Sequence, residues 1–558
     1  MEKWNGKMEG MGRLMENLKR NVYFFVKKPE YIIPLILVII LSFGFVVTHY
    51  SVNVDTLSDA RYYKDGELLA QNRYGGVLID KIFGVMEYNP FFVDGLAVIF
   101  LAMAAITFCI LFKRISQDKI NTVTYTIFSC LFVSSPLINE IFAYTPMSLG
   151  VCFSFFVNAV IFNLLYSYKI MEKKKYLIFS TIMLCIISAI YESSVTVYLS
   201  GIIMIEILDY IYGKHQNAKD IIKNLLIMLI PLLISMIINA IISKLILIIF
   251  NLEPSVKADK KIYYIRIGVG EAIKNLLKTT FYYFGINGLL YLPITVMQIS
   301  SVIMLILGII YGKKNKNFMI FLLFFGEIIS IFALSIIEGI AANYRTCQVF
   351  QLFSAFAFMM LIQYFINADK NKIVKNIFIF LAFLIIFYQA KETNKNFYYN
   401  YVRYEQEKTY LIENAERLED EYDIKNKPVI FIANKIDLSK YSIENLCVST
   451  DKLNVKVANF IVKIFEPENY AYDNQKYSYI DKPSQSNMYP YLYWADDAFG
   501  EPNTEIYKWL TVLGYDKFIQ PTMEQYYDAK SQIQKLGDID QKIVELENYL
   551  VVLVNRRF

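Results

Sequence analysis

The sequence predicts a mainly α protein, a polytopic membrane bundle of about eleven transmembrane helices followed by a C-terminal extracytoplasmic α/β domain. Three observations predict it. Of 558 residues, 56% are hydrophobic and only 19% charged, whereas a soluble globular chain is about 25% charged. The apolar excess sits in blocks of about 18 to 27 residues, the length that crosses roughly 30 Å of hydrocarbon. Basic residues collect in alternate loops between those blocks, as in a chain threaded back and forth through a bilayer.

The N-terminal segment, 1–30, is polar and carries Lys3, Lys7, Arg13, Lys19, Arg20, Lys27 and Lys28. It lacks the short basic, short apolar and cleavage-site order of a secretory signal. A basic cytoplasmic segment lying against anionic headgroups is expected instead, and the net charge of +5 is read as a membrane-surface charge. Nothing interleaves arginines with aromatics as a nucleic-acid surface would.

The membrane region, 31–390, contains apolar spans at 31–48, 89–112, 120–138, 148–168, 176–190, 195–212, 224–250, 287–311, 318–337, 347–367 and 376–390. Pro34, Pro231 and Pro293 fall inside spans, where neighbouring helices can satisfy a freed carbonyl. The loops 113–119, 169–175, 213–223, 312–317 and 368–375 carry 3, 4, 3, 3 and 3 Lys+Arg, against none, none and one in 139–147, 191–194 and 338–346. That contrast places the N-terminus inside, and eleven spans then send the chain after about residue 391 outside. Two outer loops are long, 49–88 and 251–286. Both contain segments with apolar residues at helical spacing, which suit helices in the interface plane. Such helices could guide a lipid sideways into a cavity or simply cap the bundle.

The tail, 391–558, is tyrosine-rich and charged. Glu405–Tyr422 suits a helix, and the segments 427–438, 455–465 and 542–554 suit buried strands. Asn434-Lys435-Ile436-Asp437 imitates a guanine-reading motif, but no phosphate-cradling GxxxxGK[ST] loop accompanies it, so no nucleotide is expected. The aromatic run Tyr489–Trp494 is of the kind that stacks on sugar rings, but core packing is the favoured reading, and Asp496-Asp497 lacks the Asp-x-Asp spacing of nucleotide-sugar enzymes. Six cysteines without CxxC spacing and two distant histidines, His49 and His215, suggest neither a disulfide framework nor a histidine metal site.

Candidate chemistry lies in the outer layer. Asp55 and Asp59 follow the first span, and Arg73 precedes the Gly75-Gly76 break. Glu140, Glu192 and Glu338 follow the third, fifth and ninth spans, and Arg345 is the single basic residue of the short outer loops. Charged groups at membrane depth cost roughly 2.5–3.5 kcal/mol and are usually functional or paired. If a sugar passes from a lipid phosphate to a hydroxyl, a carboxylate can take the hydroxyl proton. An arginine can hold the departing phosphate. Asp55 or Asp59 fits the base and Arg73 or Arg345 the phosphate ligand. Glu140, Glu192, Glu338, Tyr144, Tyr191 and Tyr344 are candidates to line the substrate site, with packing alone the favoured reading for each tyrosine.

This layout resembles the GT-C class of membrane glycosyltransferases. The stretch from Asp55 through Asn72-Arg73-Tyr74-Gly75, with Asn139-Glu140 and Tyr344-Arg345, is similar to the glucosyltransferase II (Gtr-type) family over about residues 30–390. The resemblance implies a GT-C-like fold, catalytic Asp55 or Asp59, and transfer of glucose or a related hexose from a polyprenyl-phosphate carrier to a cell-envelope glycan acceptor. It implies a plasma-membrane location and no resident cofactor, a divalent metal being left open. The alternatives are a lipid-linked oligosaccharide flippase or transporter, or a glycan polymerase or ligase. A transporter would bury its charges near the midplane and show inverted repeats; here the charges gather at the outer mouth.

Overall fold

The structure, a computed structural model, describes residues 20–49, 66–84, 89–143, 145–213, 217–254, 262–286, 292–367, 372–433, 504–536 and 542–554. Helices dominate. In chain order they are α1 (Pro29–Thr48), α2 (Tyr74–Phe83), α3 (Pro90–Ser116), α4 (Thr122–Ser134), α5 (Asn139–Ala143), α6 (Thr145–Met171), α7 (Lys175–Ser188), α8 (Ser194–Tyr212) and α9 (Ala218–Ile249). They continue with α10 (Val269–Thr280), α11 (Leu292–Asn315), α12 (Phe318–Ser330), α13 (Ala333–Glu338), α14 (Val349–Asn367) and the 50-residue α15 (Lys372–Glu421).

Each of the eleven expected apolar segments is helical where described. Counting α4 with α5 as one, nine helices among the described residues are long and apolar enough to cross a membrane. The other two, α7 and α12, are apolar but shorter. Two details differ from the expectation. The spans foreseen at 120–138 and 318–337 are each broken near their ends, and the last span and the separate helix foreseen at Glu405–Tyr422 are parts of the single helix α15.

Two compact units divide the chain, one holding the described residues to Thr48 and from 66 to 395, the other His49 and residues from 396 onward. In the first unit the basic residues gather at one end. Lys28 donates to Thr122 Oγ1 at 3.0 Å, Lys113 to Asn21 Oδ1 at 3.2 Å and Lys119 to the Tyr212 carbonyl at 3.2 Å. Lys169 pairs with Glu206 at 2.6 Å and Asp209 at 2.9 Å. These contacts join the start of α1 and α4 to the last turns of α3, α6 and α8, where cations also complement the helix dipoles. Lipid-facing helices show apolar exteriors, such as Ile237 on α9 and Phe380 on α15. α3, α4, α6, α8 and α14 make the buried centre.

In the second unit, β1 (Val429–Ala433), α16 (Thr504–Val512), α17 (Met523–Leu536), β2 (Ile543–Glu545) and β3 (Leu550–Val554) follow the end of α15. The strand order is β1-β3-β2, with β1 parallel and β2 antiparallel to β3. Period-two alternation sends Val429, Phe431, Leu550 and Val552 toward Leu411, Leu418 and Leu510 on one face. Ile430, Ile432, Val551 and Leu553 pack against Tyr526, Ala529 and Ile533 on the other. The segment 455–465, the Asn434–Asp437 string and Tyr489–Asp497 lie outside the described residues.

Candidate active site

Three helices of the first unit stop early at the end opposite the basic contacts. α4, α7 and α12 have 13, 14 and 13 residues. Taken alone, each rises about 20 Å, short of the roughly 30 Å hydrocarbon core, although α4 continues through α5 to a spanning length. The chain turns aside after each one: α4 gives way through Pro136 to α5, α7 to the turn at 189–193, and α12 to α13. Those three segments carry Glu140, Tyr191-Glu192 and Glu338 with Arg345.

Local sequence produces each break, and neighbours satisfy the freed backbone. Pro136 disfavours helical geometry at the residue before it, and Ser135 is extended at φ −63°, ψ 125°. The Ser134 carbonyl then accepts from Thr393 Oγ1 at 2.9 Å, while Ser134 Oγ donates to Gln389 Oε1 at 3.0 Å. Past α7, the Ala189 carbonyl accepts from the Gly75 N–H at 3.2 Å. A Cβ on Gly75 would lie 2.4 Å from the Ile186 carbonyl oxygen, so only glycine lets α2 dock this closely. Past α12, Gly339 caps α13 with φ +75°, and the Ala341 N–H donates to Thr279 Oγ1 of α10 at 2.9 Å.

Docking α2 through Gly75 brings the Arg73 guanidinium to 5.4 Å from the Tyr191 ring centre, within cation–π range. Tyr74 OH adds a bond to Asn239 Oδ1, and Asn239 Nδ2 donates to Ser188 Oγ at 2.7 Å. Tyr191 is where the charged residues converge. Its phenol is raised to about 12, chiefly by burial, with Arg345 and Arg73 acting to lower it and Glu140 and Glu192 to raise it. Arg345 also acts electrostatically on Glu140, and Glu140 and Glu338 both act on the buried Cys347 thiol.

Of the residues expected at the site, Arg73, Glu140, Tyr191, Glu192 and Arg345 thus come together, with Glu338 reached through Cys347. Tyr344 is buried with its ring edge-on to Phe284 at 6.0 Å, a packing position that fixes the Arg345 turn. Asp55, Asp59 and Tyr144 lie outside the described residues. Arg73 and Arg345 are half-buried and Glu192 is exposed, so a ligand can reach them. Two guanidiniums on separate segments suit a phosphate. Among the described residues no three His, Cys, Asp or Glu side chains gather as metal ligands.

Two helices of the long loops border this end. α2 exposes Leu78 and Ile82, and α10 exposes Val269, Ile273 and Leu277, while Ala272 of α10 packs toward Gly339. One apolar face outward and one inward suit a helix lying in the lipid interface.

Sequence reading passed over two residues. Asp94, in the second turn of α3, is buried and accepts a hydrogen bond from Ser148 Oγ at 2.8 Å. A lone acid inside an apolar run was the available signal. Gln348, which touches both the Tyr191 loop and the Arg345 turn, gave no signal at all, because Ser193, its partner on that loop, is 155 residues away in sequence.

No curated relative and no solved structure matches the chain. Residues 44–362 match the family model described as glucosyl transferase GtrII, a range that takes in every segment converging on Tyr191. The chain belongs to the GtrII glucosyl transferase family and is a membrane glycosyltransferase.

Proposed function

We propose that the protein transfers a glucosyl or related hexosyl unit from a polyprenyl-phosphate carrier to a hydroxyl of a cell-envelope glycan, at the outer face of the plasma membrane. The observation that carries this reading is the convergence of Arg73, Arg345, Glu140 and Glu192 on Tyr191. The lysine-rich loops at the other end support the outward orientation.

In the reaction, the acceptor oxygen attacks the anomeric carbon as its proton passes to a carboxylate. The bond from that carbon to the carrier phosphate breaks, and its electron pair leaves with the phosphate. A sugar-bearing phosphodiester with one negative charge becomes a monoester approaching two. Arg73 and Arg345 stabilise the added charge, which exists only as the bond breaks. Asp55 or Asp59, from the loop after α1, serves as the base, and one direct displacement inverts the anomeric centre. The carrier tail stays in lipid beside α2 and α10.

The test uses the purified full chain with polyprenyl-phosphate glucose. Arg345→Ala should lower kcat/KM by about 10²–10³, the range for loss of one preorganised charge-stabilising group, with the protein still folded. At least one of Asp55→Asn and Asp59→Asn should abolish transfer. Unchanged kinetics in Arg345→Ala would remove the phosphate role, and full activity in both aspartate variants would remove the base.

A further inference from the structure

Arg345 and Tyr191-Glu192 lie on segments about 150 residues apart in the chain, yet the proposed chemistry needs them in fixed register. One side chain spans the gap. Ser193 Oγ donates to Gln348 Oε1 at 2.7 Å, and Gln348 Nε2 donates to the Arg345 carbonyl at 2.9 Å. Gln348 is 3% exposed and Ser193 is fully buried. Water is therefore excluded from this bridge, and a neutral amide offers a donor and an acceptor at once. No charged side chain could supply both without itself needing a counter-charge in the buried position.

Both ends of the bridge are themselves anchored. The Ser193 carbonyl accepts from Thr196 Oγ1 at 2.7 Å, and Ser194 Oγ donates to the Ile187 carbonyl at 3.2 Å. The Arg345 turn is held by the Thr346 N–H on the Asn343 carbonyl at 2.9 Å and by the Cys347 N–H on the Tyr344 carbonyl at 3.0 Å. The amide thus joins two locally stiff segments, so a small loss at Gln348 displaces whole turns.

We propose that Gln348 is a positioning residue for sugar transfer, holding the Arg345 turn against the Tyr191-Glu192 loop through its two-sided amide. It touches no substrate and acts through Arg345. The proposal rests on the phosphate role given to Arg345 above. Since the extra phosphate charge exists only in the transition state, a misplaced Arg345 costs turnover more than donor binding.

Three variants of the full chain test this, each with polyprenyl-phosphate glucose as donor and with amide hydrogen exchange as a second measurement. Gln348→Leu should lower kcat at least about tenfold, with donor KM changed less than about threefold. Ser193→Ala should lower kcat less. The double variant should be no worse than Gln348→Leu, because both break one bridge. Exchange in 189–193 and 343–347 should rise together in Gln348→Leu, with α4 unchanged. Additive losses, or faster exchange with kcat intact, would overturn the positioning role. Unchanged exchange in both segments would overturn the bridge itself, and this arm decides even where a variant lacks activity. A wild-type protein that uses no polyprenyl-phosphate hexose would instead overturn the proposed function.

Discussion

Gly75 is the residue on which the site geometry turns. Its N–H closes the end of α7, and its missing side chain leaves room for the Ile186 carbonyl. Gly75→Ala should force α2 away from α7, destabilise the protein by about 1–3 kcal/mol as overpacking does, and carry Arg73 off Tyr191. A lower Tm together with weakened donor use checks this; an unchanged Tm would show that the contact is loose. Tyr191 has a consequence for alkaline pH. Its phenol is raised to about 12 in the folded protein, while an unfolded tyrosine ionises near 10. Its contribution to stability is therefore complete below pH about 10 and is lost as pH rises toward about 12. Tyr191→Phe should flatten the fall in stability across that window, measured by thermal unfolding against pH. Identical alkaline curves for variant and wild type would mean that the phenol is not held neutral.

At the scale of elements, the three places where a helix breaks matter more than the unbroken spans. α4, α7 and α12 each end after 13 or 14 residues, and the segments beyond them carry the charged groups. The interfacial helices play a different part. Leu277 on α10 is 67% exposed, on a face that lies against lipid in the proposed arrangement. Leu277→Glu should raise KM for a long-chain polyprenyl-phosphate donor several-fold while leaving a short-chain, water-soluble donor unaffected, since burial of apolar surface drives such contacts. Equal effects on both donors would assign α10 a purely structural role.

At the scale of the molecule, the two ends of the bundle differ in chemistry. One end ties lysines into buried pairs and carbonyls, and the other gathers arginines and glutamates around Tyr191. The proposed orientation puts the second end outside. A tag after Phe558 should be reachable by membrane-impermeant reagents in intact cells, and a tag before Met1 should be protected. The reverse result would place the site on the cytoplasmic face and remove the polyprenyl-phosphate donor's access from outside.

The sequence by itself determined the mainly helical, multi-pass membrane class and where its apolar helices lie along the chain. Hydropathy and loop charge are local properties, and a bilayer reads them one segment at a time. It also carried the resemblance to the family whose match covers residues 44–362. The tertiary structure alone decided that Arg73 reaches Tyr191, that Glu140 and Arg345 come near enough to act on each other electrostatically, and that Gln348 spans from Ser193 to the Arg345 carbonyl. These pairs are separated by more than a hundred residues, and no periodicity links them. Close packing at Gly75 and the early ends of three helices bring them together, and only the packed bundle fixes where such ends meet.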